Sequence, residues 1–154
     1  MEGDRRYRVM ASFDATAAFD TLSHSILLKK LQQIAGIDGP AHMLMRSFLE
    51  GRKQRVRLSG NRISTWEDVT GGTPQGACLS PLLWAIAIAD LPEQVDGHVV
   101  CLADDVTVVV SEESPEKART QMEKVMQQFS NYARSNRIKP SPEKTQLLAV
   151  AGKG

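Results

Sequence analysis

The spacing of apolar residues predicts four helices in this chain. In the first, Leu27, Leu31 and Ile34 recur at i, i+4 and i+7, and Gly36 follows as a residue that tolerates positive φ. The third is almost wholly apolar, so we expect it to be buried on most sides. The predicted helices cover residues 23–34, 40–49, 79–91 and 114–134.

Short runs of β-branched and alternating apolar residues predict strands between these helices. The runs cover residues 7–13, 54–58, 64–70, 99–102, 106–110 and 145–150. Ser59-Gly60-Asn61 should join the second and third strands in a hairpin, and Ala103-Asp104-Asp105 the fourth and fifth. Helices outside a mostly antiparallel sheet give an α+β fold, a two-layer sandwich.

Composition narrows the class of protein. The chain has 154 residues, which suits one domain, and a net charge of +1, so any nucleic-acid binding would have to be local. No apolar run approaches the roughly 20 residues of a membrane span, so we expect no membrane partner. The two cysteines have neither metal-ligand spacing nor a disulfide framework. These features predict an intracellular protein, of the nucleus or the cytoplasm.

Three aspartates stand out because apolar sequence surrounds them. Asp14 follows the first predicted strand, and Asp104 and Asp105 lie in the turn of the second hairpin. Carboxylates in apolar surroundings cost free energy unless they are paired or bind a metal. If the hairpin lies beside the first strand, the three converge as oxygen ligands suited to Mg²⁺, and two ions about 3.5–4 Å apart would support an in-line phosphoryl displacement. A solvated turn is the alternative, and the spacing alone favours neither.

Four sequence motifs occur in the order of the palm motifs of reverse transcriptases. They are FDATAAFDTL around Asp14, GGTPQGACLSPLL at 71–83, LADD at 102–105 and SPEKTQLL near the C-terminus. The intervening segments HSILLKKL, SFLEGRKQRVRLSG and IADLP resemble the reverse transcriptases of non-LTR (LINE-type) retrotransposons. The resemblance implies that residues 1–154 form a palm domain with an RRM- or ferredoxin-like sheet and helices packed on one face.

The resemblance also implies a reaction and its metals. A primer 3′-hydroxyl would attack the α-phosphate of a dNTP and release pyrophosphate. Asp14 and Asp104 would be the principal ligands of two Mg²⁺ ions, with Mn²⁺ as a possible substitute. Asp105 would be a weaker ligand, and the backbone carbonyl of Ala15 would help to hold one ion. Lys144 matches a lysine near the leaving pyrophosphate, although a solvated loop lysine is the alternative.

Four further residues would contact the nucleotide by the same resemblance. Phe19 matches a bulky residue under the sugar that disfavours a ribose 2′-hydroxyl, and an ordinary core residue is the alternative. Pro74, Gln75 and Gly76 match the loop that positions the template and the incoming nucleotide. An ordinary glycine-rich turn would not account for Gln75 between proline and glycine.

A basic segment follows the second predicted helix. Arg55 and Arg57 alternate with apolar residues, which puts both on one face of the predicted strand. Such a stripe would bind phosphates, although a merely solvated hairpin face is an equal alternative. The candidate nucleic-acid-binding residues are Arg52, Lys53, Arg55 and Arg57.

Two departures from the family pattern bear on activity. Leu102 stands where the family usually has Tyr or Phe before Ala-Asp-Asp. We also expect no fingers upstream of Asp14 and no thumb after residue 150; other segments of a larger polyprotein would supply them. The expected function is therefore an RNA-directed DNA polymerase palm with an RNA template, a DNA primer and dNTP as partners, weakly active or inactive alone. The alternative is a domesticated or remnant palm that acts as a non-catalytic nucleic-acid-binding or structural module.

Overall fold

A computed structural model describes residues 6–14, 18–60 and 62–151. The chain divides into two compact units, one formed by residues 19–87 and the other by the segments on either side of it. In chain order the elements are β1 (Tyr7–Asp14), α1 (Ala18–Thr21), α2 (His24–Gln33), α3 (Gly39–Leu49), β2 (Lys53–Gln54), β3 (Glu67–Asp68), α4 (Ser80–Ile88), β4 (His98–Leu102), β5 (Asp105–Glu112), α5 (Pro115–Asn136) and β6 (Gln146–Ala151). None of the described helices is long and apolar enough to cross a membrane.

One unit is built on a four-stranded sheet in the order β4-β5-β1-β6, and every pair is antiparallel. The first strand lies between the third and the last of the unit, as in ferredoxin-like β-α-β-β-α-β folds. The long helix α5 packs on β1 and β5, with Phe13 and Phe129 stacked at a centroid distance of 4.0 Å. This arrangement confirms the α+β class predicted from the sequence.

The core of this unit follows from two periodicities. Inward residues of the strands alternate with outward ones, and the inward residues of α5 recur three or four positions apart. Ser114 caps the helix, because its hydroxyl accepts a hydrogen bond of 3.2 Å from Lys117 N. The buried side chains are Ala11, Phe13, Val106, Val108, Val110, Ala118, Met122, Val125, Phe129, Tyr132 and Ala133.

The other unit contains α2, α3, the β2–β3 pair and most of α4. The helices α2 and α3 contact each other, and the buried His42 in α3 bonds through Nε2 to Leu28 O at 3.0 Å. The expectation that the apolar helix is buried on most sides is wrong. Only one stripe of α4 is buried, and Leu82 is 53% exposed. The helix also ends at Ile88, before a short 3₁₀ turn that contains Pro92.

The two strands predicted for the first hairpin are mostly irregular. Only two residues of each strand form the ladder, with Lys53 facing Asp68 and Gln54 facing Glu67. The next bridge joins Arg57 to Ile63, which leaves one more residue on the returning strand than on the outgoing one. An extra residue of this kind interrupts ladder hydrogen bonding, so a residue pattern typical of strands does not yield long strands here.

Candidate active site

The sheet brings two of the three candidate aspartates face to face. Asp14 is the last residue of β1, and it lies opposite Asp105, the first residue of β5. The second hairpin therefore lies beside the first strand, which is the condition that convergence of the aspartates required. The placement of Asp105 in the turn is wrong, because Leu102 pairs with Asp105 and only Ala103 and Asp104 connect the strands. Ala103 adopts φ of 54°, a conformation that favours glycine.

Lys144 lies beside Asp14, and the loop before β6 holds it there. The backbone N–H of Ser141 donates to Asp14 O at 2.8 Å. Ser141 O in turn accepts from both the N–H and the hydroxyl of Thr145, at 3.1 and 2.9 Å. This closed turn carries Lys144 Nζ to 2.7 Å from Asp14 Oδ2. The structure thus places the candidate lysine at the candidate carboxylates.

The charges at this end of the sheet are not balanced. The Asp14 side chain is 17% exposed, and Lys144 Nζ lies 2.7 Å from its Oδ2, within the distance of a charge-assisted hydrogen bond. Contact with Asp14 is the largest cause that raises the pKa of Lys144, and the charges of Asp104 and Asp105 add to it. Three carboxylates against one ammonium group leave an excess of negative charge.

The donor chemistry of this site fits a hard divalent cation. Carboxylate oxygens are the ligands that Mg²⁺ prefers, and the sheet register sets Asp14 against Asp105, with Asp104 in the adjoining turn. The side chains are not gathered into a closed ligand set: in the part of the chain that the structure describes, no three His, Cys, Asp or Glu residues are grouped so as to hold a metal. Ala15, the predicted backbone ligand, lies outside the described residues.

In the other unit, the loop that contains Pro74, Gln75 and Gly76 forms a tight turn. Ala77 N donates to Pro74 O at 3.2 Å, and Gly76 has φ of 80°, as the third position of a type II turn requires. The Ser80 hydroxyl also donates to Pro74 O, at 2.7 Å, which ties the turn to the start of α4. Gln75 is exposed at the tip of this turn.

Asp20 holds the side chain of Gln75, a role that the sequence analysis missed. Gln75 Nε2 donates to both carboxylate oxygens of Asp20, at 3.0 and 2.8 Å. Gly72 packs so closely on this segment that a Cβ there would lie 2.6 Å from Asp20 O. Thr73 N donates to Phe19 O at 2.7 Å. The amide of Gln75 is therefore oriented by a residue of its own unit. The only sequence signal for this role of Asp20 was its position next to Phe19.

Phe19 is half-buried rather than a full core residue. Its ring lies 6.1 Å from that of Trp84, with an interplanar angle of 53°. Part of the ring surface remains accessible, as contact with a ligand requires.

The four basic candidates differ in what they contact. Arg52 braces the glycine loop, since its Nη2 donates to Gly72 O at 2.6 Å and its Nε to Leu49 O at 3.0 Å. Lys53 forms an ion pair of 3.5 Å with Asp68. Arg55 and Arg57 are exposed.

Comparison with known proteins decides which family these features represent. The family model described as reverse transcriptase (RNA-dependent DNA polymerase) matches residues 1–152. The chain belongs to the reverse transcriptase family. The non-LTR resemblance is confirmed as well, because the chain is similar to polymerases of Drosophila non-LTR elements.

Two relatives and one solved structure show the extent of the likeness. The RNA-directed DNA polymerase from mobile element jockey of Drosophila melanogaster is 25% identical over 97% of this chain and 17% of the relative. The probable RNA-directed DNA polymerase from transposon X-element of the same species is 32% identical, over 79% of this chain and 14% of the relative. A truncated apo telomerase from Candida tropicalis superposes with a TM-score of 0.70 at 17% identity, over 96% of this chain and 32% of that one.

The shares of each protein that are covered show how much of a reverse transcriptase this chain represents. The chain spans about a sixth of the length of the curated relatives that it matches. The telomerase likeness shows the fold alone, an α+β fold like that of a polymerase palm. The family as a whole uses divalent metal ions.

Proposed function

We propose that residues 1–154 are the palm domain of an RNA-directed DNA polymerase, which transfers a nucleotide from dNTP to a primer 3′-hydroxyl. One observation carries the proposal: the register of β1 and β5 sets Asp14 against Asp105 while Lys144 approaches Asp14 at 2.7 Å. Like charges in facing positions repel each other, and clusters of this kind are typical of catalytic sites.

Asp14, Asp104 and Asp105 would hold the divalent cations of the family, Mg²⁺ or in its place Mn²⁺, with Asp14 and Asp104 as the principal ligands and Ala15 O as a helper. When bound, the two ions would lower the charge on the reacting phosphate and favour ionisation of the primer hydroxyl. Lys144 would then neutralise charge on the departing pyrophosphate or give it a proton. Its contact with Asp14 keeps it protonated in the absence of substrate.

The loop of the other unit would bind the incoming nucleotide. With its Nε2 engaged by Asp20, Gln75 presents its amide oxygen as an acceptor, and the adjacent Pro74 and Gly76 fix the backbone that carries it. The accessible part of the Phe19 ring would lie against the sugar and disfavour a 2′-hydroxyl. A preset amide and a preset ring cost little entropy when the ligand arrives.

The partners would be an RNA template and a DNA primer, with Arg52, Lys53, Arg55 and Arg57 as phosphate contacts. One of the telomerase structures similar in fold contains a fragment of telomeric RNA, which is consistent with a nucleic-acid partner for this fold. Fingers and thumb would come from further segments of a larger polyprotein, and the site of action would be the nucleus or the cytoplasm.

Primer extension tests this proposal in two settings. The chain is assayed alone and as a chimera in which it replaces the matching region of the jockey polymerase. We expect little extension by the chain alone and RNA-templated extension by the chimera, which Asp14→Asn and Asp104→Asn abolish. Asp96→Asn is the matched control, because Asp96 pairs with Lys124 at 2.6 Å on the surface of the same unit.

The chimera must melt cooperatively for the assay to count, and circular dichroism checks this. A folded chimera that binds primer–template and still extends nothing would overturn the catalytic proposal. That result would favour a palm retained as a non-catalytic binding module.

A further inference from the structure

The hairpin formed by residues 53–68 exposes large apolar side chains together with cations. Between Lys53 and Trp66 the sequence contains four cations and no carboxylate, in a chain whose net charge is only +1. The Trp66 side chain is 56% exposed. Exposed apolar groups rimmed by charge mark interaction surfaces more often than plain solvated turns. The large exposed apolar residues here are Val56, Leu58, Ile63 and Trp66.

Arg55 and Trp66 form a preorganised pair on this hairpin. The guanidinium carbon of Arg55 lies 4.5 Å from the centroid of the Trp66 ring, within cation–π distance. Backbone hydrogen bonds hold the two strands together between this pair and the turn of the hairpin. Ser64 N donates to Val56 O at 2.9 Å, and Leu58 N donates to Arg62 O at 2.8 Å. On the other side of the pair, the strands are held by the ladder in which Gln54 faces Glu67. Neither residue belongs to a motif that positions the carboxylates or Gln75.

We propose that Arg55 and Trp66 form a stacking platform for an unpaired base of a single-stranded nucleic acid. Lys53, Arg57 and Arg62 bind the phosphates on either side of that base. A flat indole with a guanidinium group against it offers a π surface to any base, and the local excess of cations matches a polyanion. This inference rests on the proposed function for its partner, and it adds the mode of contact and a residue, Trp66, that the sequence analysis did not select.

A single strand is the favoured occupant because stacking needs a base free of its partner. Duplex nucleic acid would contact the cations through its phosphates and leave Trp66 solvated. An apolar protein partner would bury Val56 and Leu58 and gain nothing from the four cations. Duplex binding and base-independent binding are distinguishable outcomes of one titration.

Tryptophan fluorescence reports this contact directly. The chain has two tryptophans, and Trp84 is only 3% exposed, so Trp66 is the one that a ligand reaches. The titrants are a short oligothymidylate, an abasic strand of the same length and charge, and a duplex of the same length, in buffer with EDTA. We expect the oligothymidylate to quench Trp66 emission and to bind more tightly than the abasic strand. Metal-free conditions separate this result from any failure of polymerisation.

The variants assign the binding energy. Trp66→Ala should weaken oligothymidylate binding by roughly five- to a hundredfold, the range for loss of one stacked base, and leave abasic binding unchanged. Trp66→Phe should recover part of the loss. Arg55→Ala should weaken the binding of both strands and lower the salt dependence of that binding. Val56→Ala, an exposed apolar change on the same hairpin, is the matched control and should bind as the parent does.

Three results would overturn the proposal. They are equal affinity for the abasic strand and the oligothymidylate, tighter binding of a duplex than of the single strand, and a loss in Val56→Ala as large as that in Trp66→Ala. The substituted side chains are exposed, so circular dichroism should show all four variants folded like the parent.

Discussion

The carboxylate end of the sheet and the glycine loop of the other unit position their functional side chains in different ways. Asp14 and Asp105 owe their places to strand register, so the backbone alone sets them opposite each other. Gln75 owes its place to another side chain, Asp20, and to the close approach that Gly72 permits. Substitutions should therefore separate function from folding at the first region and couple them at the second.

The largest effect is expected where only charge is removed. Asp104→Asn should lower polymerisation by the chimera about a thousandfold, since metal-assisted charge stabilisation is worth several kcal/mol. The melting temperature should hardly change, because backbone pairing fixes the hairpin and like charge is relieved. Activity and thermal melting measured on the same sample check the loss of activity and the unchanged melting temperature together. A loss of activity that merely tracks a loss of folded protein would contradict the comparison.

In the glycine loop, Gly72→Ala should be damaging through structure. Its Cβ would lie 2.6 Å from Asp20 O, and Gly72 has φ of 72°. We expect the free energy of unfolding to fall by about 3 kcal/mol, as overpacking adds to left-handed strain. Gly36→Ala is the control, since Gly36 has φ of 63° and nothing within 4 Å of the added carbon. Urea unfolding should show the control to lose only about 1–2 kcal/mol; equal losses would rule out the close approach as the cause.

Asp20→Ala tests whether Asp20 acts through Gln75. The free Gln75 amide should raise the KM for dNTP about tenfold while kcat changes less, because binding loses a preset acceptor. A double-mutant cycle with Gln75→Ala supplies the readout that a purely structural role would not move. We expect the two substitutions together to cost no more than either alone. Additive effects would show that Asp20 and Gln75 act separately.

The smallest effect is expected at the turn between β4 and β5. Ala103 has φ of 54°, so Ala103→Gly should relieve strain of about 1 kcal/mol, partly offset by the greater entropy of glycine in the unfolded chain. We expect a stability gain below about 1 kcal/mol in urea unfolding. Ala85→Gly, an exposed change within α4, should instead lose about 1 kcal/mol. If both substitutions destabilise equally, Ala103 is not strained.

The sequence predicted regular elements better than contacts between distant residues. β1 and α5 emerge from apolar spacing because each buries one continuous face. The strands around residues 53–68 are not predicted correctly. The alternation of arginine with apolar residues lies on the outgoing strand, whereas the extra residue that interrupts the pairing lies on the returning strand. The sandwich class followed from the order of the elements alone.

The same distinction separates the site residues that the sequence predicted from those that it did not. Apolar surroundings singled out the three aspartates, and motif resemblance singled out Lys144. Neither signal predicted the turn, closed by hydrogen bonds to Ser141, that brings Lys144 to Asp14. Asp20 and Trp66 escaped notice because their meaning depends on partners: Gln75 lies 55 positions from Asp20, and the Arg55 guanidinium lies over the Trp66 ring. A single sequence does not display such pairings, since neither residue is unusual until its partner is known.

Mn²⁺ titration followed by amide NMR shows whether the aspartates at the end of β1 and the start of β5 hold divalent cations. We expect the lowest Mn²⁺ concentrations to broaden the amides around Asp14, Asp105 and Lys144 first, and Mg²⁺ to reverse the effect. The Asp14→Asn/Asp104→Asn variant should lose this broadening, whereas Asp96→Asn should keep it. Broadening spread over other surface carboxylates, or unchanged in the double variant, would contradict the account.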